Sequence, residues 1–259
     1  MALLMLAPMD RAASSRADGF RERGGQVTRM EAFVDAAFAF AVTLLVVSGN
    51  ELPRSVAELL AAMTQVPAFA GSFGLIAMFW YAHNTWSRRY GLDDVVTVWL
   101  SLLMVFLVLV YVYPLRMLFG SFFGWMSMLL LPEDWWIPFT FAIRGYEDIR
   151  VMFIVYAVAW ATMGAIIVLL YRHAWRRREA LELSPHERVE TLREALRWSF
   201  VPLTGVLSIV VALTVPDVER PWTLGMPGVV YFLMWLMDPV DRWYARRVRA
   251  RHGLDPATR

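Results

Sequence analysis

Long uncharged runs alternate with short arginine-bearing segments along most of the chain. Val66–Ser87, Val95–Leu115, Val151–Tyr171 and Trp198–Pro216 contain no Asp, Glu, Lys or Arg. Each is close to the roughly 20 residues a helix needs to cross about 30 Å of hydrocarbon. Met30–Ser48 is as long and as apolar, with Glu31 and Asp35 in its first turns. Pro221–Met237 is shorter and is interrupted by Gly225, Pro227 and Gly228. The pattern predicts an all-α integral membrane protein with six spans. Met117–Leu131 is a seventh candidate, uncharged but short, and it carries Gly120 and Gly124.

Arginine placement decides between six and seven, because cytoplasmic flanks collect positive residues. With six spans and a cytoplasmic N-terminus, five Arg precede the first span. Two more stand at Arg88–Arg89, seven lie from Arg172 to Arg197, and six follow from Arg242 onward, twenty in all. Only Arg54, Arg116, Arg144, Arg150 and Arg220 remain outside. A seventh span would reverse the face of Arg172–Arg197. Met117–Ile143, with Trp125, Trp135 and Trp136, therefore reads as a segment at the outer interface, where Trp is favoured. Both termini are expected in the cytoplasm, with the protein in the cell (inner) membrane.

The remaining segments follow from local pattern. Residues 1–28 are polar and Arg-rich and read as a disordered cytoplasmic arm, 29–240 as the membrane domain, and 241–259 as a basic cytoplasmic tail. Within Leu52–Gln65, the positions Val56, Leu59, Leu60 and Met63 recur at helical spacing and predict a short outer interfacial helix. Ser184-Pro185-His186-Glu187 has the form of a capping box with Pro at the first helical position. It predicts a cytoplasmic helix running into the fifth span.

Composition narrows the chemistry. The chain is 58% hydrophobic, with 12 Trp and 16 Phe, above the roughly 45–50% of soluble domains. It has no cysteine, which removes disulfides, thiolate metal sites and a Cys nucleophile. All twenty-five basic residues are Arg, so Schiff-base chemistry and a phosphate-loop lysine are absent. His83, His173, His186 and His252 are scattered, without the H-E-x-x-H spacing of zinc proteases. The acidic pairs Asp93-Asp94, Glu133-Asp134 and Glu147-Asp148 read as solvated loop charge. The clusters Arg176–Arg178 and Arg246–Arg251 adjoin spans and read as topology signals touching anionic lipid heads rather than nucleic acid. No enzyme, cofactor or resident metal is indicated.

The first span carries the most informative residues. Asp35 is an ionisable group inside a span and needs a partner. Arg29 lies six residues away, outside the i,i+4 reach of one helix face. The second span supplies Trp80, His83 and Asn84 near the same membrane face. His83 and Asn84 read equally as partners for Asp35 or as polar residues at a span end.

Arg29-x-x-x-Phe33-Val34-Asp35 resembles the R-x-x-x-F-S-D signature of the endosomal–lysosomal potassium channel family and its bacterial six-span homologues. Phe79-Trp80-Tyr81-Ala82-His83-Asn84 is similar to that family's W-x-x-H-H element, and Pro114 stands where members often have proline. The resemblance covers residues 29–240. It implies a potassium or other monovalent cation channel, a homotetramer whose first helix lines a central pore without the T-V-G-Y-G filter. By offset from Asp35, the pore stripe is Ala36, Phe40, Thr43 or Leu44, and Val47, spaced to share one helical face. Arg29, Phe33, Asp35, Trp80, His83 and Asn84 form the expected signature network. The chain departs from the family at Val34 (Ser), Asn84 (the second His) and Phe40 (Ile or Leu). Four Phe rings could close a pore, gate it by dewetting, or move aside. The alternatives are a non-conducting or proton-conducting relative of the same fold, or a small secondary transporter, for which broken midplane helices are expected.

Overall fold

The computed structural model describes residues 19–47, 53–137, 145–214 and 226–252. The described elements are helical: α1 (Arg29–Val47), α2 (Val56–Met63), α3 (Val66–Tyr90), α4 (Val95–Leu130), α5 (Tyr146–Arg176) and α6 (Pro185–Thr214). A last rod joins α7 (Met226–Val229), a 3₁₀ stretch (Val230–Leu236) and α8 (Met237–His252). Outside the described residues lie most of the expected N-terminal arm, Ser48, Ile143, Pro216, the start of the sixth predicted span, and residues 253–259.

Side-chain caps set where the helices begin. Thr28 Oγ1 accepts the Glu31 N–H at 3.1 Å, Ser55 Oγ the Glu58 N–H at 3.2 Å, and Asp94 Oδ1 the Thr97 N–H at 3.0 Å. At α6 the capping box is reciprocal: Ser184 Oγ accepts from Glu187 N at 3.2 Å, and Glu187 Oε2 accepts from Ser184 N at 2.9 Å. α3 ends at Gly91, whose φ of 56° lies in the left-handed region that a side chain disfavours.

α1, α4, α5 and α6 are each long and apolar enough to cross a membrane, and α2 with α3, bent by 45° at their junction, reach that length and hydropathy only as a pair, which brings the number of apolar spans to four or five. The protein is an integral membrane protein. α6 enters its apolar part at Trp198; the turns before it carry Glu187, Arg188, Glu190, Arg193, Glu194 and Arg197, too many charges to belong to the membrane-crossing part of the helix. The rod over 226–252 is apolar only as far as Met237.

Three sequence expectations change. The segment Met117–Ile143, expected at the outer interface, is not separate in its first part: Met117–Leu130 continues α4 through Pro114 into one 36-residue helix, about 54 Å long at 1.5 Å per residue. Proline removes one backbone hydrogen bond, and the packing of α4 on α1, α3 and α5 carries the helix across that gap. Asp94 is not solvated loop charge, since it caps α4 and accepts from His173 Nε2 at 2.7 Å and Arg177 Nη2 at 3.3 Å. Burial alone would raise its carboxyl; the bonds from Thr97 and His173 outweigh that and lower it.

Part of the arm expected to be disordered, residues 20–24, is packed against the arginine-rich end of the bundle. Phe20 is 1% exposed and meets the Tyr90 ring edge-on, with the Arg89 guanidinium over its face. The N–H groups of Arg23 and Gly24 both donate to Arg88 O. Glu187 is the hub: it accepts from Arg23 Nη1 and Nη2 at 2.8 and 2.9 Å and from Arg21 N at 3.0 Å. Burial would raise this carboxyl, but the Arg23 guanidinium and the Ser184 and Arg21 N–H groups prevail and hold it down at about 2.

Small residues shape the crossing of α5 and α6. α5 and α6 form the most extensive helix pair, and a Cβ on Gly205 would lie 2.8 Å from both Ala157 O and Ala161 Cβ. Glycine there lets the backbones approach, the usual basis of packing between helices in lipid.

Candidate functional site: the first helix and its anchors

α1 has two unlike faces. Glu31, Val34, Phe38, Ala41 and Leu45 are buried against α3 and α4, in a core that includes Ile76, Phe79, Met104, Val108 and Val112. The opposite face is open. It carries Arg29, Phe33, Ala36, Phe40, Thr43 and Val47, with Phe40 55% and Val47 71% exposed. These positions recur every three or four residues, so they form one stripe along the helix. Leu44 is half-buried and lies at the border of the stripe. Thr43 Oγ1 donates to Ala39 O at 3.1 Å. Its proton is engaged, which leaves the hydroxyl oxygen as an acceptor.

Polar contacts fix both ends of the helix. At its start, the buried Glu31 carboxylate pairs with Arg88 Nε at 3.4 Å. One turn on, Trp80 Nε1 donates to Asp35 Oδ1 at 2.8 Å. At its end, Arg116 Nη1 of α4 donates to Leu45 O at 3.2 Å, satisfying one of the carbonyls that a helix C-terminus leaves unpaired. α1 is thus tied to α3 at one end and to α4 at the other.

Of the six signature residues, the structure joins Asp35 and Trp80. His83 is buried and turned away: its Nε2 shares a 2.9 Å hydrogen bond with Ser101 Oγ of α4. Arg29 and Phe33 stand on the open face of α1, and Asn84 is half-buried on α3. Val34, in place of the family serine, is fully buried among apolar side chains. The Glu31–Arg88 pair and the Arg116 cap were missed in the sequence. Thr28-x-x-Glu31 is itself a capping-box pattern and marks the start of α1; nothing in the local sequence announces the Arg116 contact.

The fold and this helix define a helical membrane protein whose N-terminal span is packed on one side and bare on the other. The sequence model of the endosomal/lysosomal potassium channel TMEM175 family matches residues 29–114. A Marivirga tractuosa protein named a potassium channel is 31% identical over 221 residues, 83% of this chain and 85% of that protein. The crystal structure of a variant of the potassium channel MtTMEM175, in complex with a nanobody–MBP fusion, aligns with a TM-score of 0.74. That match has 28% identity and covers 89% of this chain and 97% of the other. The chain belongs to the TMEM175 family, a family of ion channels rather than enzymes.

Proposed function

We propose that this chain is one subunit of a homotetrameric potassium channel whose pore is lined by α1. The observation that carries the reading is the open apolar stripe Ala36, Phe40, Thr43 and Val47 on a helix whose other face is fully packed. Four such stripes facing one axis would bury that surface and enclose an apolar path. Phe40, the bulkiest member, sets the narrowest level, and Leu44 borders it. An apolar ring passes an ion only when wide enough to stay wet, so conduction is governed by radius rather than by charge. The acceptor oxygen of Thr43 supplies a polar layer one turn further along. Arg29, Phe33, Asp35, Trp80 and Asn84 then serve assembly: Asp35 and Trp80 join the two helices, and the exposed Arg29 meets a neighbouring subunit.

In this reading 29–240 is a six-span membrane domain of the cell membrane, with the rod from Met226 completing the sixth span. The arm and the basic tail lie on the cytoplasmic side. The arginine distribution supports that orientation. Purified protein in liposomes under an imposed potassium gradient tests the function, and its mass in native detergent complexes tests the tetramer. Potassium flux from a four-subunit particle is expected. A sealed vesicle, or a proton current without potassium flux, would favour the non-conducting or proton-conducting alternative.

A further inference from the structure

We infer that a groove between α4 and α5 is a binding site for the phosphate of an anionic phospholipid. The groove has a volume of about 200 Å³ and is lined by Val96 and Leu100 of α4 and by Leu169, Arg172, His173 and Arg176 of α5. Its lining has a direction. Leu169, Arg172, His173 and Arg176 occupy one face of α5, and Arg176 lies about 10 Å beyond Leu169 along the axis at 1.5 Å per residue. α4 runs the other way, with Val96 in its first turn and Leu100 one turn deeper. The groove is therefore cationic at the rim of the bundle and apolar toward the membrane interior.

The two arginines are available. Both are exposed, and neither forms an ion pair or side-chain hydrogen bond among the described residues. Like charges at i,i+4 repel, so the pair gains from an anion placed between them. Asp94, which meets His173 of the lining, does not fill that role. Its carboxylate is already taken by Thr97, His173 and Arg177. A volume of about 200 Å³ is below the roughly 300–1,000 Å³ of pockets for organic ligands, yet it accommodates a phosphodiester. The apolar floor distinguishes a lipid from a free anion: Val96, Leu100 and Leu169 offer the start of an acyl chain a continuous path, which inorganic phosphate would leave unused. This site is independent of how the pore is built and of which face of the membrane is cytoplasmic.

The test uses the full chain in detergent, titrated separately with phosphatidylglycerol, phosphatidylcholine and inorganic phosphate, with bound lipid counted by native mass spectrometry. Phosphatidylglycerol should be retained in preference to phosphatidylcholine. Each basic residue near a lipid surface is worth roughly fivefold in binding, so the double variant Arg172→Gln, Arg176→Gln should weaken retention about thirtyfold. Arg242→Gln, an exposed arginine of α8, should leave it unchanged. Leu169→Trp fills the floor while keeping both charges and should also lower retention. The inference is overturned if the double variant retains phosphatidylglycerol like the native chain, or if Leu169→Trp has no effect, since charge alone would then explain binding. Displacement of the lipid by equimolar inorganic phosphate would overturn it as well, marking a simple anion site.

Discussion

Replacing Glu187 with Gln should release the segment that precedes α1. The carboxylate accepts four hydrogen bonds, two from the Arg23 guanidinium and one each from the Arg21 and Ser184 N–H groups. The amide keeps the shape, but it removes the charge and turns an NH₂ toward donors. Two routes give the size of the loss. Holding the carboxyl at about 2, against roughly 4.3 for a free glutamate, corresponds to about 3 kcal/mol. Breaking a buried ion pair by removing one partner costs about 3–5 kcal/mol, and here the side chains are 12% and 4% exposed. Taking about 3 kcal/mol, the open population of residues 19–25 should rise about a hundredfold. Trypsin reads this directly, because cleavage after Arg23 needs the open form and tracks its population when opening is fast. The protein in detergent should be cut at Arg23–Gly24 about a hundred times faster in the variant. Cleavage within threefold of the native rate would refute the claim that Glu187 holds this segment.

Acidification should reproduce that change. The folded carboxyl is depressed, so its contribution is complete above about pH 4–5 and fades as pH falls toward 2; the difference in melting temperature between native chain and Glu187→Gln should close over that window. Phe40→Ala should widen the proposed constriction, raising potassium flux in liposomes and weakening discrimination against sodium; falling stability with unchanged flux would place Phe40 against lipid or a neighbour instead. Trp80→Phe removes the donor to Asp35 at a cost of about 1 kcal/mol, and should lower the yield of assembled protein without altering ion preference. Gly205→Val drives a side chain into Ala157 O and Ala161 Cβ; overpacking of this kind costs about 1–3 kcal/mol, visible as a lowered melting temperature.

Much of the architecture could be read from uncharged run lengths, because every crossing needs at least about 20 predominantly apolar residues. The ends of helices could be read where a local signal sits beside them, as with Ser184-x-x-Glu187. What escaped reading was decided by contacts distant in sequence. Nothing around Phe20 or Arg23 reveals that Tyr90 and Glu187 will cover them, so an Arg-rich arm reads as solvated. Pro114 and the glycines after it argue locally for an ending, yet the neighbours of α4 keep it helical. At the candidate site, the stripe followed from periodicity, and the alternation of span directions brought Trp80, His83 and Asn84 to the membrane face of Asp35. Which of the second span's polar groups would turn inward was not legible, because Ser101, the partner of His83, belongs to the third span.

The fastening of α1 at both ends restricts how a pore built from it can change state. A helix held by Glu31–Arg88 and Asp35–Trp80 at its start, and by Arg116 on Leu45 O at its finish, behaves as a beam clamped at each support. Turning it to carry a different residue to the axis would break contacts at both supports together. If Phe40 forms the constriction, the least costly coordinate for opening is then rotation about its own side-chain bonds. Such flips take place far faster than helix rearrangements, which occupy microseconds to milliseconds. Single-channel records should accordingly show brief, unresolved flicker rather than long closed dwells.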